Sequence, residues 1–271
     1  MYDSNILAYN HTTRYSYVMK TATILRKTAE TAILCGLLLS VSASCASAKD
    51  PQKGVSVIRN KAETDIYLAE TELPVFDGRE ALNRRILQTG DDWFTEFSRD
   101  ARENTAARLE TAAPDQLKEI EMPFCTFNQT WKLAENDADY ISCLLESYSY
   151  TGGANGFVQL ASFTWNVRTD TEAALTDVLA DFVAPATLDR LAEICRTQLT
   201  ERFKSADGPV SSDGSVAADP YTAQMIAEGT APVPENYRVF TVSDTELTIY
   251  FNKYQVAAGS YGVQTVSIPR L

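Results

Sequence analysis

The sequence predicts an α+β fold: an antiparallel β-sheet, made of a meander plus a C-terminal hairpin, with helices packed on one face. Three observations carry this. Between residues 121 and 168, stretches rich in Phe, Thr, Trp and Tyr follow one another with short connections, as in a meander. Apolar residues recur at helical spacing before and after that region. The resulting order (strand, helix, meander, helices, hairpin, strand) lacks the regular strand–helix alternation of a parallel sheet.

The elements follow in order. Residues 49–61 read as a linker, and Glu63 through Leu73 as a first strand, ended by Pro74 and Asp77-Gly78. Leu82, Ile86, Trp93, Phe97 and Ala101 form the apolar stripe of a long helix that Asp77 can cap. Glu121–Leu133, Asp139–Tyr150 and Phe157–Arg168 are the meander, with a turn at Glu135-Asn136-Asp137 and a tight loop from Thr151 to Gly156. A helical turn starts at Thr176 or Asp177, and Ala186–Phe203 is a longer amphipathic helix. Residues 205–219 are small and polar, a surface excursion, and Tyr221–Glu228 is a short helix. Tyr237–Thr241 and Glu246–Phe251 form a hairpin across Ser243-Asp244, and Val263–Ile268 is the last strand. No internal repeat is present.

The amino-terminal part is organised for export. Met19, Lys20, Arg26 and Lys27 precede an apolar run from Thr31 to Val41, which is followed by small residues to Ala48 and then by Lys49-Asp50. Basic, then apolar, then small is the order of a secretory signal peptide. The run is shorter than the roughly 20 residues of a membrane span. Two processing sites compete: Ala46-Ser47-Ala48 for ordinary cleavage, and Ala43-Ser44-Cys45, after which Cys45 would carry a lipid anchor. The first releases a soluble protein, and the second ties it to a membrane surface. Residues 1–18 read as an upstream extension before a start at Met19, residues 19–48 as the signal peptide, and residues 62–271 as one domain.

Of the chain's 24 basic and 36 acidic residues, four basic and two acidic ones precede Lys49, leaving 20 and 34, a net charge of −14. Such a surface repels nucleic acid and anionic membranes and attracts cationic partners. The one histidine, His11, lies before the signal peptide. Histidine-dependent triads and histidine zinc sites are therefore excluded from the exported part. Cys125, Cys143 and Cys195 remain there. Cys125 and Cys143, on neighbouring strands, can bridge in an oxidising compartment, or all three stay reduced.

No catalytic residue, metal site or cofactor site is legible. The glycine loop lacks the Lys-Ser/Thr pair of a phosphate loop. The paired acids Asp91-Asp92 and Asp137/Asp139 lie in a helix and a turn, with nothing to bring them into one cleft.

Tyr148-Ser149-Tyr150-Thr151-Gly152-Gly153-Ala154-Asn155-Gly156 resembles the hallmark of a family of bacterial envelope domains. That family is shared by the extracellular part of the lysozyme-sensing anti-sigma-V factor (RsiV-like) and the non-catalytic N-terminal part of PdaC-type peptidoglycan deacetylases. Phe163-Thr164-Trp165-Asn166, Leu175 to Leu179, Leu247 to Phe251, Tyr254 to Ala257, Gly262 and Val266 to Pro269 are similar to its further motifs, in order. Asn155 departs from the pattern, standing where a histidine is usual. The resemblance spans roughly residues 62–271. It implies a non-enzymatic module of the bacterial envelope, in the periplasm or anchored as a lipoprotein, whose partner is a cationic lysozyme-type muramidase or peptidoglycan. Tyr148, Tyr150, Gly152, Gly153, Asn155 and Gly156 are the candidate binding residues. Two alternatives stand beside it: a glycan-acting enzyme using carboxylates, and a structural lipoprotein with no soluble ligand.

Overall fold

A computed structural model describes residues 54–113, 123–204 and 218–271. The expected signal peptide, Cys45 anchor site and upstream extension lie outside the described residues, as does most of the expected 205–219 excursion.

The fold is α+β, with two sheets. Strands β1 (Val55–Glu63) and β2 (Tyr67–Phe76) form an antiparallel hairpin. Helix α1 (Glu80–Thr111) then crosses over to β3 (Cys125–Asn136), which lies parallel to β2. Strands β3, β4 (Tyr140–Tyr150) and β5 (Phe157–Asn166) are the antiparallel meander, and β6 (Thr171–Glu172) adds two residues to its end. The sheet order is β1-β2-β3-β4-β5-β6. Helices α2 (Leu175–Val178), α3 (Leu188–Arg202) and α4 (Pro220–Gly229) follow. The second sheet is wholly antiparallel, in the order β7 (Phe240–Val242), β8 (Glu246–Phe251), β9 (Gln264–Pro269).

Three sequence expectations are corrected here. Residues 55–61, expected in a linker, are most of strand β1. Their charges misled: Arg59 and Lys61 pair with Glu72 and Glu70 across the ladder, each at 2.9 Å, on its solvent side. Pro74 does not end its strand but sits within β2 opposite Val57, beyond Thr71, where pairing with β3 stops and no ladder N–H is needed on that side. Asp77 does not cap α1, which begins three residues later; Asn83 instead fastens the helix start, its side chain bonding both N–H and C=O of Phe76 at 2.8 Å.

Helix α1 lies across one face of the large sheet, burying Leu82, Ile86, Phe97 and Ala101 against Leu73, Phe127, Leu145 and Phe163. Gly90 brings helix and sheet together: a Cβ there would meet the Leu73 methyl carbons at 3.0 and 3.1 Å. Beneath it, the Gln129 side-chain amide is buried with no hydrogen-bond partner among the described residues.

The other face of the sheet meets β7. The edge amides of that strand are taken up by hydroxyls of the large sheet: Phe240 N–H donates to Ser162 Oγ at 2.9 Å, and Val242 N–H to Ser142 Oγ at 3.0 Å. Side chains thereby satisfy an edge that would otherwise stay unpaired. Helices α2 to α4 close a second core of Leu179, Leu191, Leu199, Ile249 and Phe251. Thr187 caps α3, accepting from Arg190 N–H at 3.2 Å, and Asp219 caps α4, which has Pro220 at its first position.

The bridge between Cys125 and Cys143 is also corrected. All three described cysteines are free and buried. Cys143 faces Leu133 in the ladder, eight positions along β3 from Cys125, so roughly 25 Å of strand separates them.

Candidate functional site

The glycine loop joins β4 to β5 at one end of the large sheet. Gly152 carries its left-handed residue, with φ +92°, and a side chain there would strike the Phe124 ring. Asn155 is not left-handed, so its identity is not required by backbone shape. Thr151 Oγ1 accepts from Asn104 Nδ2 at 3.0 Å, tying the loop to α1. Tyr150 turns inward: its hydroxyl donates to Gly153 O at 3.0 Å and braces the loop. The Tyr148 ring packs over Gly156, where any Cβ would collide with it, and is 44 % exposed. Gly153 is exposed, with open space around it.

Two adjoining depressions flank this loop. One, of about 210 Å³, lies between α1 and the hairpin, with Trp93, Glu96, Asp100, Gly152, Asn155 and Phe157 on its walls. Its acids are engaged: Arg99 lies 2.9 Å from Asp100 and 4.0 Å from Glu96, and Gln159 Nε2 donates to Glu96 at 3.5 Å. The other, of about 520 Å³, wraps around the start of β5 and is bounded by Trp93, Asn155, Phe157, Leu160, Lys253 and Tyr254. Phe157 is 61 % exposed and Tyr254 60 %. Tyr254 holds φ +71°, an unfavourable backbone for a residue with a large side chain. Lys253 Nζ lies 5.3 Å from the centre of its ring.

Of the predicted residues, Gly152, Asn155 and Gly156 border these depressions, whereas Tyr148, Tyr150 and Gly153 do not. Tyr148 lies in register with Val158 and shares its face, opposite to that of Phe157 and α1. Sequence reasoning missed Trp93, Phe157, Lys253 and Tyr254. Trp93 sits in the helical stripe and reads as core, and Phe157 reads as the first inward residue of a strand. The positive φ of Tyr254 leaves no mark in composition.

The acid pairs read from sequence do not form a cleft. Asp92 accepts from Gln88 at 2.8 Å in the exposed helix; Asp137 accepts from the N–H groups of Asp139 and Tyr140, each at 2.7 Å, closing the β3–β4 turn; Asp139 pairs with Arg168. Among the described residues, no group of three or more His, Cys, Asp or Glu side chains is placed to hold a metal.

Fold and site together define a two-sheet α+β module with an aromatic- and amide-lined groove at one end. Comparison with known proteins places it more closely. Residues 60–158 match the family described as deacetylase PdaC, and residues 180–270 match a protein family of unknown function, DUF3298. The chain carries both segments in tandem. The first runs from β1 to the opening of β5, and the second takes in α3, α4 and the whole second sheet. The peptidoglycan-N-acetylmuramic acid deacetylase PdaC of Bacillus subtilis is 26 % identical over 143 residues, which are 53 % of this chain and 27 % of that protein. The chain thus spans about a quarter of the length of this relative. Crystal structures of DUF3298 family proteins from Bacteroides fragilis and Pseudomonas aeruginosa superpose with TM-scores of 0.48 and 0.47. They are 13 % and 14 % identical, and each comparison covers 79 % of this chain and 89 % of the other.

Proposed function

We propose that the protein is an exported, non-catalytic binding module of the bacterial envelope that takes a peptidoglycan fragment in the groove at the β4–β5 end. One observation carries the reading: Phe157 and Tyr254 present exposed rings, with Trp93, to a groove of about 520 Å³ whose lining also includes the amides of Asn155, Gln159 and Asn252 and the Lys253 ammonium. Apolar sugar faces stack on such rings, while amide side chains both donate to and accept from sugar hydroxyls and acetamido groups. The matched family segments and the name of the B. subtilis relative support a role next to peptidoglycan.

A second partner is favoured by charge. With net charge −12 over the whole chain, a cationic lysozyme-type muramidase would associate quickly and in a salt-dependent way.

Co-sedimentation with purified peptidoglycan tests the first reading. Phe157→Ala and Tyr254→Ala are each expected to weaken binding by about tenfold, the loss of one aromatic contact of roughly 1–2 kcal/mol. Retention of full binding by both variants would remove this groove from consideration. Calorimetry with a muramidase and an unrelated cationic protein tests the second partner, and equal binding to both would reduce the acidity to a solubility device.

A further inference from the structure

The edge of β5 beside this groove is open for a short stretch. Strand β6 covers only Trp165 and Asn166, and just beyond it Ala173 N–H donates to Thr164 O at 2.8 Å. That bond fixes the parity: the main-chain groups of Thr164, and with it those of Ser162, Leu160 and Val158, point away from β4. No described residue makes a backbone hydrogen bond to the outward groups of Val158 or Leu160. Next to Ser162, β7 packs on the face of the strand, where Phe240 N–H takes the Ser162 hydroxyl. The open stretch beside the groove, Phe157 to Ala161, is about 17 Å long, at roughly 3.4 Å per residue.

This edge is unguarded. Exposed sheet edges are ordinarily protected by charge, proline or bulges. The opposite edge follows that rule, with Arg59 and Lys61 on β1. Phe157-Val158-Gln159-Leu160-Ala161 has no charge and no proline. The groove runs along this edge and includes Lys253, which has no carboxylate within ion-pair distance among the described residues. In a strongly acidic chain, a cation placed there matches a ligand carboxylate.

We infer that the β5 edge, from Val158 to Leu160, binds the peptide part of a cell-wall glycopeptide by strand addition, with a peptide carboxylate directed to Lys253. This rests on the glycan reading of the groove and extends it: sugar against Phe157 and Tyr254, peptide against the adjacent main chain. The two outward-facing residues beside the groove offer two N–H and two C=O groups, enough for a peptide of three to five residues. Main-chain pairing also tolerates varied side chains.

The test is calorimetry of the full chain with three probes: a disaccharide-tetrapeptide muropeptide, the same disaccharide without peptide, and the muropeptide with N-methylated peptide amides. The muropeptide is expected to bind at least about tenfold more tightly than the bare disaccharide, as two added hydrogen bonds provide. N-methylation is expected to abolish that gain without any change to the protein. Leu160→Pro, which removes an outward N–H, and Lys253→Gln are expected to narrow the ratio of muropeptide to disaccharide affinity. Equal affinities for muropeptide and disaccharide, or a gain that survives N-methylation, would overturn strand addition while the glycan reading stood. Failure of every probe to bind would overturn both.

Discussion

Single residues divide into those that hold the fold and those that shape the groove. Gly229 and Gly156 show the difference. A Cβ on Gly229 would run into the main-chain carbonyl of Gln255 and the Val256 side chain, neither of which can swing aside. Gly229→Ala is expected to destabilise by several kcal/mol, of the order of ~3, read as a lower denaturant midpoint. A Cβ on Gly156 meets only the far end of the half-exposed Tyr148 ring, which can rotate away. Gly156→Ala is expected to keep the melting temperature within a few degrees, with altered Tyr148 fluorescence, and a large stability loss would show the ring to be fixed. Gln129 offers the opposite sign. Its amide is buried without a partner among the described residues, so Gln129→Met, close in shape, is expected to stabilise by about 1 kcal/mol in urea unfolding. None of these three roles is visible in the sequence. A glycine and a glutamine read alike wherever they stand, and only the neighbours folded against them decide.

At the scale of elements, the contact between the sheets depends on hydroxyls. Ser142 is fully buried, accepts from Val242 N–H and lies 3.0 Å from Thr164 Oγ1. Ser142→Ala would leave the Val242 amide buried and unpaired, a cost of about 1–3 kcal/mol. Equilibrium unfolding of that variant and of Ser162→Ala checks this, and the more exposed Ser162 site is expected to lose less. The elements themselves were largely legible. The meander, the longer helices and the C-terminal hairpin follow from period and turn residues, with boundaries shifted by a few positions. Strand β1 was hidden because an edge strand carries charge on its open side and so imitates a tether. The parallel pairing of β2 with β3 was hidden for another reason: strand direction depends on where α1 delivers the chain, not on any residue within the strands.

For the whole molecule, burial of ionisable groups sets a pH limit. Desolvation pushes the thiols of Cys143 and Cys195 up to about 12 and raises the Tyr237 hydroxyl as well. In the unfolded chain these thiols ionise near pH 9, and in the folded chain they stay neutral. The unfolded state therefore releases these protons first, so the thiols' contribution to stability is level below pH 9 and falls as the pH climbs from 9 towards 12. Thermal melts across that range are expected to show the decline, and Cys143→Ala with Cys195→Ala to flatten it. Under native conditions at pH 8 both thiols are expected to resist alkylation and to react only after denaturant is added.

The sequence by itself determined the fold class, the acidic surface, the exclusion of histidine chemistry from residues 49–271 and the position of the glycine loop, because composition, period and turn propensity are local properties. It marked Gly152, Asn155 and Gly156 at the rim of the groove through a contiguous motif. Only the tertiary structure brought Trp93 of α1, Phe157 of β5 and Lys253-Tyr254 after β8 to one place, left the β5 edge open beside them, and separated Cys125 from Cys143. These are relations between segments as many as 160 residues apart, from Trp93 to Lys253, and they come from packing two sheets and a crossing helix, which no local pattern encodes.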